Sequence, residues 1–93
     1  MEERERLINL YEYYKKLLTN KQREYFEDYY FENLTMDEIA ENDSVSKNAV
    51  SKQIISIKEK LEYYENNLKL YSNRVNIEKK LEKDILNKIK DYI

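Results

Sequence analysis

Within seven positions the chain places Ser46, Lys47, Asn48, Ser51 and Lys52, residue types suited to holding and reading a nucleic-acid duplex. An asparagine amide can pair with the major-groove edge of adenine, and a lysine ammonium can reach guanine or a phosphate oxygen. Ser46 precedes a stretch that reads as helix from Lys47. Its hydroxyl can cap that helix and also meet a phosphate, because a helix N-terminus favours an anion. Helical geometry gathers positions 47, 48, 51 and 52 on one outer side. This chemistry is recognition rather than bond-making.

The composition points away from catalysis. There is no histidine and no cysteine, so the commonest general base and the commonest nitrogen and sulfur metal ligands are missing. The carboxylates of Glu2, Glu3 and Glu5, and of Asp37 and Glu38, fall at expected helix starts, where the backbone dipole favours negative charge. No second ligand type or base accompanies them. The expectation is a protein that is not an enzyme and needs no cofactor or metal. The ten tyrosines fall at helical spacing and read as core and seam residues whose hydroxyls reach the surface, rather than as a stacking platform for bases.

The elements that must position these residues read as helices. Glycine and proline are both absent, which disfavours the tight turns that strands need. The spacing of Leu7, Tyr11, Tyr14 and Leu18 predicts a first helix over Glu2–Leu18. Thr19 with Gln22 forms a capping box and opens a second helix over Asn20–Asn33, with Phe26, Tyr29 and Tyr30 inward. Thr35 with Glu38 repeats the box and opens a short third helix to about Glu41. Asn42-Asp43-Ser44 is a turn in which Asn42 or Asp43 can take the left-handed conformation. Val45 is expected to plug that turn, and Ser46 to cap the fourth helix.

That helix reads as long, over Lys47–Tyr71. Val50, Ile54, Ile57, Leu61, Tyr64, Leu68 and Tyr71 keep four-three spacing, a coiled-coil-like seam. Ser72-Asn73 marks the next break. A fifth helix then runs to about Tyr92, with Ile77, Leu81, Ile85 and Ile89 every four residues. It can fold back on the fourth helix as an antiparallel hairpin or pair with a second chain. Ile55 cannot share the face of Ile54, and its partner is a fifth-helix residue, a thymine methyl or another chain.

The third and fourth helices make a helix-turn-helix. Ala40 is small where the second helix of the pair crosses closely, and Val50 and Ile54 hold that helix against the first. The charge is split between the two. The stretch Thr35–Asp43 carries a local −4, and Ser44–Leu61 a local +3, against a net charge of −2 for the chain. A duplex-binding surface must therefore come from the fourth helix and not from the total.

The stretches Leu18-Thr-Asn-Lys-Gln22, Tyr29-Tyr30, Asp37-Glu-Ile-Ala-Glu41, Val45-Ser-Lys-Asn-Ala-Val50, Leu61-Glu-Tyr-Tyr-Glu65 and Leu68-Lys-Leu-Tyr71 together resemble the bacterial YlxM-like proteins. The helix-turn-helix part alone is similar to the C-terminal promoter-reading domain of sigma factors. The resemblance runs from Leu7 to Tyr71 and is looser beyond. It implies an all-α, sigma-like DNA-binding architecture and a link to the signal recognition particle pathway, through gene neighbourhood with that particle's GTPase and its receptor, which become candidate partners. Two departures from the family's pattern stand out. Ser44 stands where glycine is usual, and Ile55 and Ser56 stand where basic residues are usual.

The reading is an all-α, sigma-like helix-turn-helix domain with a long fourth helix and a C-terminal helix. It forms a single domain over 1–93, with the helix-turn-helix unit in 1–61 and a helical extension in 62–93. The leading function is a regulatory protein whose partner is duplex DNA, held by Ser46, Lys47, Asn48, Ser51 and Lys52. The other is an adaptor acting by protein–protein contact with signal recognition particle components. A homodimer is slightly favoured over a monomer. The charged start Met1–Arg6, followed by no long apolar run, predicts a cytoplasmic protein with no membrane span.

Overall fold

The computed structural model describes the backbone of residues 2–90 and the side chains through Lys83. The expected helix end near Tyr92 lies outside the described residues, as do the side chains of Ile85, Leu86 and Ile89. The architecture is all-α. Helix α1 is Glu2–Tyr14, followed by a 3-10 turn at Lys15–Leu17; α2 is Asn20–Tyr30, α3 Met36–Asp43, α4 Lys47–Leu68 and α5 Leu70–Lys90. No described helix is long and apolar enough to cross a membrane.

The first helix stops short of the expected Leu18. The chain tightens into the 3-10 turn and Leu18 turns extended, at φ −90° and ψ 155°. The carbonyls left over at such an end need partners. The Arg23 guanidinium supplies them, donating to the Lys15 and Leu18 carbonyls at 3.0 and 3.2 Å. Helix α2 likewise ends at Tyr30 rather than Asn33. Asn33 is left-handed at φ 57°, and Leu34 N–H returns to the Asp28 carbonyl at 3.0 Å. Arg4 from α1 donates to the Tyr30 carbonyl and to Asn33 Oδ1, closing that end against the first helix.

Helices α1, α2, α3 and the first half of α4 enclose the core. Leu7, Leu10, Tyr11, Tyr14, Phe26, Ile39, Val50, Ile54, Ile57 and Leu61 are buried in one cluster. Each such aliphatic or aromatic side chain contributes roughly 1.5–3 kcal/mol on burial. Tyr11 stacks on Phe26 with ring centroids 4.2 Å apart and 9° between planes. Its hydroxyl donates to Glu27 at the surface. The aromatic ring is thus used for packing and the hydroxyl is satisfied.

Beyond Leu61 the expected seam comes apart. Tyr64 is half-buried, and Leu68 is 49% exposed. The buried residue there is instead Glu65. Helix α4 ends at Leu68, not Tyr71, because Lys69 is left-handed at φ 53° and ψ 31°. The break expected at Ser72-Asn73 therefore falls at Lys69. Glu65 then takes over the exposed N–H groups of the next helix. Its carboxylate accepts Tyr71 N–H and Ser72 N–H, both at 3.2 Å, and the Ser72 hydroxyl at 2.8 Å.

Helix α5 does not fold back on α4. Its first turns meet α1, where Tyr13 and Tyr71 lie 6.0 Å apart and the Arg74 guanidinium stands over the Tyr13 ring. Further along, Ile77 and Leu81 are 58% and 54% exposed. The intramolecular hairpin is thus not adopted.

Candidate nucleic-acid interface

The candidate interface is built on the turn between α3 and α4. Thr35 Oγ1 accepts Glu38 N–H at 3.1 Å and Glu38 Oε1 accepts Thr35 N–H at 3.0 Å, so the expected capping box starts α3. The helix runs on to Asp43, two residues past the expected Glu41. It ends at Ser44, which takes the left-handed conformation itself at φ 56° and ψ 42°. Neither Asn42 nor Asp43 does so; both remain helical. Ser44 N–H donates to Glu41 O at 3.3 Å, and Val45 N–H to Ala40 O at 3.0 Å, the pairing that satisfies the last carbonyls of a helix.

Val45 serves this turn through its backbone. Its side chain is 41% exposed, so it does not plug the turn as expected. The buried side chains on either side of the turn are Ile39, Ala40 and Val50. Only Ser44, Val45 and Ser46 separate α3 from α4, within the three- or four-residue turn that defines the motif. Ser46 then caps α4 as expected, its Oγ accepting Ala49 N–H at 3.1 Å.

A second tie holds α3 in place. Asp43 sits at the negative end of the helix dipole, an unfavourable position. Lys21 on α2 answers it with Nζ 2.9 Å from Asp43 Oδ2. The same ammonium lies 5.1 Å from the centre of the Tyr25 ring. The paired Asp43 carboxylate holds the Lys21 ammonium above its ordinary range. Burial, with Asp43 nearby, pushes the Tyr25 phenol up as well.

The five expected site residues lie together at the start of α4. Lys47, Asn48 and Lys52 are exposed on the side of α4 away from the core, Ser51 is half-buried beside them, and Ser46 is exposed at the tip. The inner side of the same stretch is Val50 and Ile54, at 0% and 2% exposure. The helix is thus anchored by one face and presents the other.

Charge pairing trims the positive face. Lys47 Nζ lies 3.5 Å from Asp37 Oδ2 on α3. Lys58 lies 3.6 Å from Glu3, and Glu62 is held by Arg6 through two hydrogen bonds of 2.9 Å. Among the described residues, Lys52 has no carboxylate within 4 Å. Sequence reasoning misses the role of Asp37. Its only signal there is the acidic pair Asp37-Glu38, which the helix dipole alone accounts for.

This geometry agrees with what the chain is similar to. The family described as "putative helix-turn-helix protein, YlxM / p13 like" matches residues 1–93. The chain belongs to this family. No curated protein matches it. Family membership covers α5 as well as the helix-turn-helix, beyond the reach of the quoted motifs, which stop at Tyr71.

Proposed function

We propose that this protein is a cytoplasmic DNA-binding regulator that lays the first half of α4 in the major groove, in the manner of a sigma-like reader. The observation that carries this reading is the set Lys47, Asn48 and Lys52, exposed together on the outer side of a helix that follows a three-residue turn. Lys52 and Lys47 would grip phosphate or guanine and Asn48 would read adenine. Ser51 would lie against the groove wall. The Ser46 hydroxyl and the open N–H groups of the α4 N-terminus would meet a phosphate.

Two copies bound to two half-sites would add affinity and specificity. The exposed Ile77 and Leu81 of α5 supply apolar surface for such a homodimer.

The test is fluorescence anisotropy with mixed-sequence duplex DNA at low and at physiological salt. Binding that weakens steeply with salt is the expected result, because phosphate contacts release counterions. No binding at low salt would remove this reading.

A second reading is of a different class. Here the helix-turn-helix is a scaffold, and the protein is an adaptor for the signal recognition particle GTPase or its receptor. The exposed Leu68, Leu70, Ile77 and Leu81 favour it, since apolar side chains left exposed over the end of α4 and along α5 suit a protein partner. Binding of the particle's GTPase that survives removal of both Lys47 and Lys52 would support it.

A further inference from the structure

The outer side of α4 is polar from Lys47 to Lys52 and then carries one aliphatic side chain. Asn48, Lys52, Ile55 and Glu59 follow four-three-four spacing and so share a face. Ile55 is 51% exposed, whereas its neighbour Ile54 is 2% exposed in the core. An isoleucine here gains little burial and forms helix less readily than lysine, glutamine or alanine. A single exposed apolar residue is ordinary in itself. What distinguishes Ile55 is its position.

Three features define that position. The rise from Lys47 to Ile55 is about 12 Å, comparable with the major-groove width of about 12 Å. Ile55 is thus the last outer residue of α4 that a groove entered from the N-terminus would enclose. Beyond it the free charge on this face, among the described residues, is the exposed Glu59, whose carboxylate repels a phosphate, while Lys58 and Glu62 on either side are paired with Glu3 and Arg6. Ser51, one turn before it, is short and leaves the Ile55 side chain standing clear. The described contacts of α5 are with α1 and with Glu65 near the C-terminal end of α4, nearly three turns beyond Ile55, so α5 does not cover Ile55.

The apolar feature that a base pair presents in the major groove is the C5 methyl of thymine. We propose that Ile55 packs against a thymine methyl and sets a preference for thymine at one position of the DNA site. This inference rests on the reading of α4 as the recognition helix.

The test uses the full chain and a duplex recovered by selection from random sequence. Each thymine is replaced in turn by deoxyuridine, which lacks the methyl and keeps the same hydrogen-bonding edge. At one position the replacement should weaken wild-type binding about fourfold, the effect of burying one methyl. Ile55→Ala should bind the thymine and deoxyuridine duplexes equally, near the wild-type affinity for the deoxyuridine duplex. Ile55→Val, which keeps a branched side chain, should retain part of the preference. If wild type binds with salt sensitivity but no single replacement weakens it, the Ile55 inference is overturned and the DNA reading stands. Retained sensitivity in Ile55→Ala overturns it as well. If no duplex binds at low salt, the DNA reading fails and the Ile55 inference with it.

Discussion

The Glu65 carboxylate accepts the Tyr14 hydroxyl at 2.7 Å, and through this bond the last turn of α1 holds the junction between α4 and α5. Tyr14 is fully buried and Glu65 is 3% exposed. The same Tyr14 oxygen accepts Leu70 N–H at 3.0 Å, so both residues serve the first turn of α5. Burial pushes the Glu65 carboxyl up. The hydrogen bonds from Tyr14, Ser72 and the backbone N–H groups of Ser72 and Tyr71 outweigh it and hold the group below the usual carboxylate range. Burial and the bond to Glu65 push the Tyr14 phenol up.

Removing this carboxylate should loosen the junction. Glu65→Gln is expected to cost about 1–3 kcal/mol in urea unfolding, because bonds to an ionised acceptor are stronger than neutral ones and an amide can accept through only one of its two ends. Tyr14→Phe should also cost about 1–3 kcal/mol, since Glu65 keeps three other donors but Leu70 N–H loses its acceptor. A change within about 0.5 kcal/mol for Glu65→Gln, the scatter of a neutral surface substitution, would mean that the junction adds nothing to stability.

The same group makes stability depend on pH. Its folded pKa is depressed, so the unfolded chain takes up the proton first as pH falls. The contribution is present above the unfolded carboxylate value, ~4.3, and is lost as pH drops through the lower folded value. Urea midpoints measured from pH 6 downward should fall more steeply for wild type than for Glu65→Gln. Parallel curves would show that Glu65 is not the group responsible.

The double substitution Lys47→Ala with Lys52→Ala should abolish duplex binding at physiological salt and leave the thermal midpoint nearly unchanged, because both side chains are exposed. Residual binding at low salt should show a shallower dependence on salt, by about 0.9 in the log–log slope for each phosphate no longer neutralised. Unaltered binding would move the interface off α4.

Asp37→Asn should act in the opposite direction. Asp37 lies 3.5 Å from Lys47 in an exposed pair, and its charge both occupies the lysine and repels phosphate. Releasing it is expected to tighten duplex binding about two- to threefold at low salt, with the gain fading as salt screens it. Stability should fall by less than about 1 kcal/mol, the effect of removing one acidic group near the start of α3. Weaker binding in Asp37→Asn would show that this carboxylate orients Lys47 rather than competing for it.

The helix-turn-helix is legible in the sequence because its signals are local. Thr19 with Gln22, Thr35 with Glu38, and Ser46 each announce a helix start through hydrogen bonds spanning three residues, and all three form. The outer position of Lys47, Asn48 and Lys52 follows from the inward pattern of Val50 and Ile54. The far end of α4 is not legible in the same way, because periodicity does not report where a helix breaks. Leu68 keeps the seam spacing yet is exposed, and the break at Lys69 depends on Glu65, whose role comes from Tyr14 fifty-one residues away. The Asp37–Lys47 pair also joins two helices, and its distance depends on how they cross. No pattern within one helix encodes that.

Ser44 offers the most direct test of the turn itself. It is left-handed at φ 56°, a conformation that costs an L-residue with a side chain roughly 1–2 kcal/mol. The YlxM-like pattern usually carries glycine at this position. Glycine meets no steric penalty there but loses more freedom on folding, roughly 0.5–1 kcal/mol. The Ser44 side chain makes no hydrogen bond among the described residues that would offset the strain. Ser44→Gly should therefore stabilise the protein by about 0.5–1 kcal/mol, read as a higher urea midpoint at unchanged slope, and leave duplex affinity as it was. Destabilisation would mean that Ser44 holds the turn by a contact to its side chain, and that α4 is aimed by this residue rather than by the backbone bonds of Val45 and Ala40.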